Sequence, residues 1–123
     1  MTQVSSEPIT ASSKETPATP EELAALLHTA SDAGNQTIVS GGGTKLDWGR
    51  PPARVDLLIS TSKLNRIVAH RYGDLTATIQ AGASLLDVNL QLAAHRQWLP
   101  IDTAFDRATI GFTQMGGEGV PWV

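Results

Sequence analysis

The segment Ser40-Gly41-Gly42-Gly43-Thr44-Lys45-Leu46-Asp47-Trp48-Gly49 holds most of the chemical information in this chain. Glycine gives up more backbone freedom on folding than any other residue, so a run of it fits a place where the chain must adopt positive φ or approach a ligand closely. Main-chain N–H groups exposed along such a loop form an anion site that needs no basic surface. That suits a protein with nine Lys plus Arg against twelve Asp plus Glu, whose net charge of −3 also speaks against a nucleic-acid partner. Thr44 adds a hydroxyl donor to the loop.

Two known phosphate loops do not fit these residues. A Walker loop ends in Gly-Lys-Ser/Thr, whereas here Thr44 precedes Lys45 and Leu46 follows it. The dinucleotide fingerprint that starts at Gly41 requires glycine where Leu46 stands, and Pro51-Pro52 blocks the long helix that should follow. A glycine-rich surface turn remains the competing reading of the triplet.

Other reactive side chains carry less. With no cysteine, thiolate metal sites and disulfides are excluded, and redox chemistry must come from a bound cofactor. His28 reads as a surface residue, and His70 and His95 stand apart in sequence with no carboxylate at ligand spacing, so no metal site is expected. Taken alone, Asp102 is an ordinary turn acid, Ala108-Thr109-Ile110-Gly111 an ordinary strand end, and Trp48 a side chain packed on a nearby turn.

The elements that must position the loop can be read from pattern. Residues 1–18, rich in Ser, Thr and Pro, read as a flexible tail. Thr19-Pro20-Glu21-Glu22 supplies an N-cap hydroxyl, a proline at the first helical position and a capping-box glutamate. Leu23, Leu26, Leu27 and Ala30 then give a helix a core face, and Gly34 ends it in the left-handed conformation. Thr37 to Ser40 is a short β-branched strand that leads into the glycines, and Val55 to Ile59 is a second apolar strand. Asn65 to His70 and Leu75 to Gln80 predict a hairpin around Tyr72-Gly73-Asp74. Ser84, with Asp87 three residues on, predicts a helix running through Leu85, Val88 and Leu92 toward Gln97, before Trp98-Leu99-Pro100 stops it. The class is α+β, without internal repeats. No secretory signal and no stretch near ~20 apolar residues is present, so a cytoplasmic protein without a membrane span is expected.

Taken together, Thr19-Pro20-Glu21-Glu22-Leu23, Gly41-Gly42-Gly43-Thr44-Lys45-Leu46, Ala81-Gly82-Ala83-Ser84, Leu99-Pro100-Ile101-Asp102 and Ala108-Thr109-Ile110-Gly111 resemble the PCMH-type FAD-binding domain of the vanillyl-alcohol oxidase superfamily. The likeness runs from about Pro17 to Gly111 and is closest to FAD-binding subunits of the glycolate oxidase type. It implies that Gly41 to Leu46, entered from Ser40, wraps the FAD pyrophosphate, and that Asp102 and Ala108, Thr109, Ile110 and Gly111 lie along the ribityl and ring portion. Family members that attach FAD through a histidine in this loop carry it directly after the glycines; Thr44 stands there, which implies non-covalent FAD. The likeness further implies an oxidoreductase acting on 2-hydroxy acids, with other subunits of a glycolate oxidase-like complex as partners.

After Gly111 the chain leaves the family pattern. Where a second glycine and small residues are usual, it reads Phe112-Thr113-Gln114-Met115-Gly116-Gly117-Glu118-Gly119-Val120-Pro121-Trp122-Val123, as a frame change or early termination would produce. The expected organisation is a tail over 1–18, a partial FAD-binding domain over 19–111 and a divergent end over 112–123. Such a chain holds too little protein to position a substrate against a flavin alone. An inactive truncated product and a non-enzymatic anion-binding module are the alternatives.

Overall fold

The computed structural model describes residues 11–43, 53–101 and 107–111. Its first layer starts earlier than composition predicts. Strand β1, Ser13–Glu15, runs parallel to β3, Leu57–Ser60, with Ser13 opposite Leu57 and Glu15 opposite Ile59. The expectation of a flexible tail therefore fails for residues 11–18. What orders them is main-chain pairing, as the Ser12 and Ser13 N–H groups donate to the Val55 and Asp56 carbonyls, and the burial of Pro17. Residues 1–10 lie outside the described residues.

Helix α1, Pro20–Asp32, begins as its capping residues require. Thr19 is extended, and its Oγ1 accepts from the Glu22 N–H at 3.2 Å. The Glu22 carboxylate reaches back to the Ala18 N–H at 2.8 Å, one residue earlier than in the usual box. At the other end, Gly34 has φ of 68°, the Asn35 N–H donates to the Ala30 carbonyl and the Gly34 N–H to that of Ser31. This is the Schellman arrangement, which only a residue at ease with positive φ closes without strain. The buried face of α1 is narrower than the leucine pattern suggests. Leu23, Leu26 and Ala30 pack with Leu57, Ile59 and Val39, while Leu27 is left 42% exposed on the rim.

Strand β2, Thr37–Ser40, lies parallel to β3 on its other side, in the order β1-β3-β2. Asp56 fixes the entry to both strands. Its carboxylate accepts from the Gln36 N–H at 2.8 Å and from the Arg54 guanidinium at 2.8 Å. The Gln36 hydrogen bond first, and then Arg54, hold the Asp56 pKa below its ordinary value.

The second layer is the predicted hairpin. Strands β4, Ile67–Arg71, and β5, Thr76–Ile79, pair antiparallel with an irregularity between Ile67 and Ala69. The turn places a non-glycine residue, Leu75, at φ of 57°. Helix α2, Leu85–Leu92, packs Val88 and Leu92 with Ala83 against Ile67, Ile79, Leu99 and Ile110. It ends before the expected Gln97. A single 3₁₀ turn over Ala93–His95 follows, and Arg96 takes the left-handed position that breaks the helix. A three-stranded parallel sheet and a separate antiparallel hairpin, each with its own helix, make the architecture α+β, as expected.

Candidate functional site

The sites differ in what they could hold. A groove of about 380 Å³ runs between β1 and α1, and another of about 450 Å³, mostly apolar, lies between the hairpin and the chain after α2. A third, of about 350 Å³, gathers the glycine loop, the turn after β3, the start of α2 and the 107–109 segment. It is the smallest of these, but only it collects main-chain turns, hydroxyls and charged side chains around Gly41 and Gly42.

Strand ends and close backbone contacts assemble this cleft. At the C-terminal end of the parallel sheet, the Thr61 N–H and Oγ1 both donate to the Ser40 carbonyl, at 2.9 and 3.3 Å. This joins the exit of β2 to the exit of β3 and sends Gly41 and Gly42 along the cleft wall. Ligands of parallel α/β sheets lie beyond the carboxyl ends of their strands, and these glycines occupy that position.

Three glycines let separate segments touch at distances that no side chain allows. A Cβ on Gly42 would collide with the Arg107 carbonyl oxygen. On Gly82 it would collide with the Thr61 carbonyl and come within 2.7 Å of the Leu64 oxygen, and on Gly111 it would meet the Ala81 Cβ at 2.7 Å. Gly43 has φ of 73°, so it serves through conformation. The glycine triplet is thus a site of close backbone approach and positive φ, which weakens its reading as an ordinary surface turn.

Beside the loop, the start of α2 meets the 107–109 segment in a short antiparallel contact. Ser84 and Thr109 form a β-bridge, Leu85 N–H donates to the Ala108 carbonyl at 3.0 Å, and Ile110 N–H donates to that of Ala83 at 2.9 Å. Ser84 also caps α2, its Oγ accepting from the Asp87 N–H at 3.1 Å. The positive end of the α2 dipole therefore opens on the cleft.

Thr109 is only 4% exposed, and its Oγ1 has no hydrogen-bond partner among the described residues. A buried hydroxyl without a partner is uncommon, because it forfeits its hydration for nothing. Thr109 lines the cleft, with Oγ1 itself closed to solvent, so an acceptor oxygen would satisfy it only where the cleft adjusts around a ligand. Backbone donors, a helix N-terminus and an unused hydroxyl form a set suited to phosphate oxygens, and in this respect the residues present fit a dinucleotide diphosphate.

Of the residues singled out in the sequence, Gly41, Gly42 and Thr109 line the cleft, with the Arg107 carbonyl against Gly42; Ser40 is bonded to Thr61, Gly43 follows the loop, and Ala108, Ile110 and Gly111 are bonded instead to Leu85, Ala83 and Ala81. Thr44, Lys45, Leu46 and Asp102 lie outside the described residues, as does Trp48. Sequence reasoning missed Ser62, Asn65 and Arg107 as cleft residues, and took Gly82 and Ser84 as a strand break, a helix cap and part of the family resemblance without assigning them a cofactor contact. The Gly-x-Ser spacing just before a helix was the available signal; Ser62, Asn65 and Arg107 carried none.

The histidines behave differently from one another. His28 is exposed on α1 and lies 3.3 Å from Asp32. His70 and His95, far apart in sequence, come together: their ring centroids are 5.2 Å apart, and Tyr72 stacks on His95 at 4.0 Å. His70 Nε2 and Gln97 Oε1 are 2.8 Å apart, and Gln97 Nε2 donates to the Tyr72 carbonyl, so the cluster fastens the hairpin to the segment after α2. No group of three or more His, Cys, Asp or Glu residues is placed to hold a metal ion among the described residues. None of the described helices is long and apolar enough to cross a membrane.

Comparison with known proteins identifies a family. The profile of the FAD binding domain family matches residues 15–120. Two uncharacterized FAD-linked oxidoreductases of Mycobacterium tuberculosis, from strains CDC 1551 / Oshkosh and ATCC 25618 / H37Rv, are each 35% identical over 77 residues, 63% of this chain but 17% of theirs. Among solved structures, alkyldihydroxyacetonephosphate synthase superposes with a TM-score of 0.71 at 25% identity, over 80% of this chain and 20% of its own. Aclacinomycin oxidoreductase gives a TM-score of 0.71 at 17% identity, over 85% of this chain and 21% of its own, a likeness of fold. The chain thus spans about a fifth of the length of the solved relatives and less of the curated ones.

Proposed function

The chain belongs to the FAD binding domain family, and from that premise we propose that it is the FAD-binding part of a flavin-dependent oxidoreductase, with the diphosphate of FAD held between the glycine loop and the start of α2. The observation that carries this reading is the buried Thr109 hydroxyl, without a partner among the described residues, on a residue that lines the same cleft as Gly41 and Gly42. The loop donates backbone N–H groups, Ser84 and the first turn of α2 present a positive dipole end, and Thr109 Oγ1 donates once an acceptor arrives. Gly42 and Gly82 keep the walls close enough for one diphosphate to touch several segments. When bound, the flavin supplies the hydride-accepting chemistry that a chain without cysteine does not have.

The finer reading follows the family resemblance. FAD is bound non-covalently, because Thr44 replaces the histidine that tethers it elsewhere, and Lys45, Leu46 and Asp102 complete the cofactor contacts. The substrate is a 2-hydroxy acid, as in glycolate oxidase-type enzymes, and the protein acts in the cytoplasm with the other subunits of such a complex. Residues 19–111 form the cofactor-binding portion, and the substrate is positioned by protein outside it.

Flavin fluorescence tests the cofactor assignment. Titrating the full chain into FAD and, separately, into riboflavin is expected to show saturable binding of FAD and much weaker binding of riboflavin, which lacks the diphosphate. No binding of FAD, or equal binding of both, would overturn the assignment.

A further inference from the structure

The proposed diphosphate site has a charge deficit. Every phosphate of the ligand is negative, and Asp87, in the first turn of α2, lines the same cleft. Backbone N–H groups and a helix N-terminus answer this with partial charges only. Among the described residues that line the cleft, Arg107 is the cation.

Its placement follows from the glycine loop. The Arg107 carbonyl is the atom that forbids a Cβ on Gly42, and the Arg107 Cβ stands 3.7 Å from where that Cβ would be. The stem of the side chain is therefore rooted against the loop, and Arg107 itself is exposed, so the guanidinium is available to a ligand. A guanidinium stays charged throughout the working pH range, and its planar fork matches two phosphate oxygens at once. Lysine offers the charge without the fork.

Resting on the FAD reading above, we propose that Arg107 is a specificity-determining residue of this site: it offsets the diphosphate charge beside the glycine loop and favours ligands with an ADP portion over plain flavins. The role is binding and positioning, with no bond made or broken.

The test measures binding of FAD, ADP and riboflavin to the full chain and to Arg107→Gln and Arg107→Lys, at low and at moderate salt. Arg107→Gln is expected to weaken FAD and ADP roughly tenfold, within the range of a charge-assisted hydrogen bond, and to leave riboflavin unchanged. Arg107→Lys should recover part of the loss, and the gap between wild type and Arg107→Gln should shrink as salt rises. Equal FAD binding by wild type and Arg107→Gln overturns the proposal and leaves the FAD reading standing. Loss of riboflavin in step with FAD overturns it too, since that pattern marks a general structural defect. Absence of FAD and ADP binding in the wild type overturns the FAD reading itself, and the Arg107 role with it.

Discussion

Replacing Thr109 by valine should change stability and ligand affinity in opposite directions. Valine keeps the branched shape and removes the hydroxyl, and the backbone bridge to Ser84 does not depend on the side chain. The Oγ1 is buried without a partner among the described residues. Leaving such a group unpaired costs roughly 1–3 kcal/mol, and a methyl in its place adds apolar burial worth about 0.8 kcal/mol. After discounting for repacking, Thr109→Val is expected to stabilise the free chain by about 1 kcal/mol, or a rise in Tm of roughly 4–8 °C. With FAD present, the variant forgoes a hydrogen bond to a charged acceptor, worth about 1.5–3 kcal/mol, so affinity should fall by a factor of ten or more. Thermal unfolding followed by circular dichroism, with and without a fixed excess of FAD, reads both effects. The melting curves of the two proteins should cross over as FAD is added. A free variant less stable than wild type, or one with unchanged FAD affinity, would refute the reasoning that this hydroxyl is held in reserve for a ligand.

Other expectations rest on separate features. Gly42→Ala must push the Arg107 backbone aside, so it should destabilise by about 1–3 kcal/mol and lower FAD binding; Gly73→Ala, with open space around it, should leave the melting temperature within a few degrees of wild type and FAD binding unaltered. Asp56→Asn should lower Tm at neutral pH, because the folded-state pKa of Asp56 lies below its unfolded value of 3.8 and the stabilisation is present above that pH. It is lost as pH falls through the folded-state value, so the gap between wild type and variant should close on acidification, and a gap constant from pH 7 to pH 2 would contradict this. Ile59→Ala, at a fully buried position of the first core, should cost about 2–5 kcal/mol in chemical denaturation.

Local signals proved the most legible part of the sequence. Thr19 and Ser84 announced their helices because an N-cap works through bonds three residues away, and Gly34 marked a left-handed end. Elements that depend on distant partners were less visible. Strand β1 is three residues with no apolar member, ordered only by the neighbouring β3, so composition placed it in a tail. Helix α2 ends earlier than its pattern suggests, since nothing in the local sequence foretells that Arg96 adopts positive φ where glycine is usual. For the candidate site, the glycine triplet stood out through its cost, whereas Arg107, Ser62 and Asn65 became site residues only through the close contacts at Gly42 and Gly82. His70 and His95 show the same limit: the stacking of His95 on Tyr72 and the edge-on contacts of His70 with both are produced by hairpin and helix packing and leave no trace in spacing.

Residue-resolved amide shifts during an FAD titration of the full chain test the central claim most directly, because they locate the ligand without requiring catalysis. The account predicts saturable shifts concentrated at Gly41, Gly42, Ser84 and Thr109, reproduced in good part by ADP, with the amides of Val68, Tyr72 and Leu75 on the hairpin unmoved. Shifts centred on the hairpin groove around His70 and Trp98, or none at the glycine loop when FAD is saturating, would contradict it.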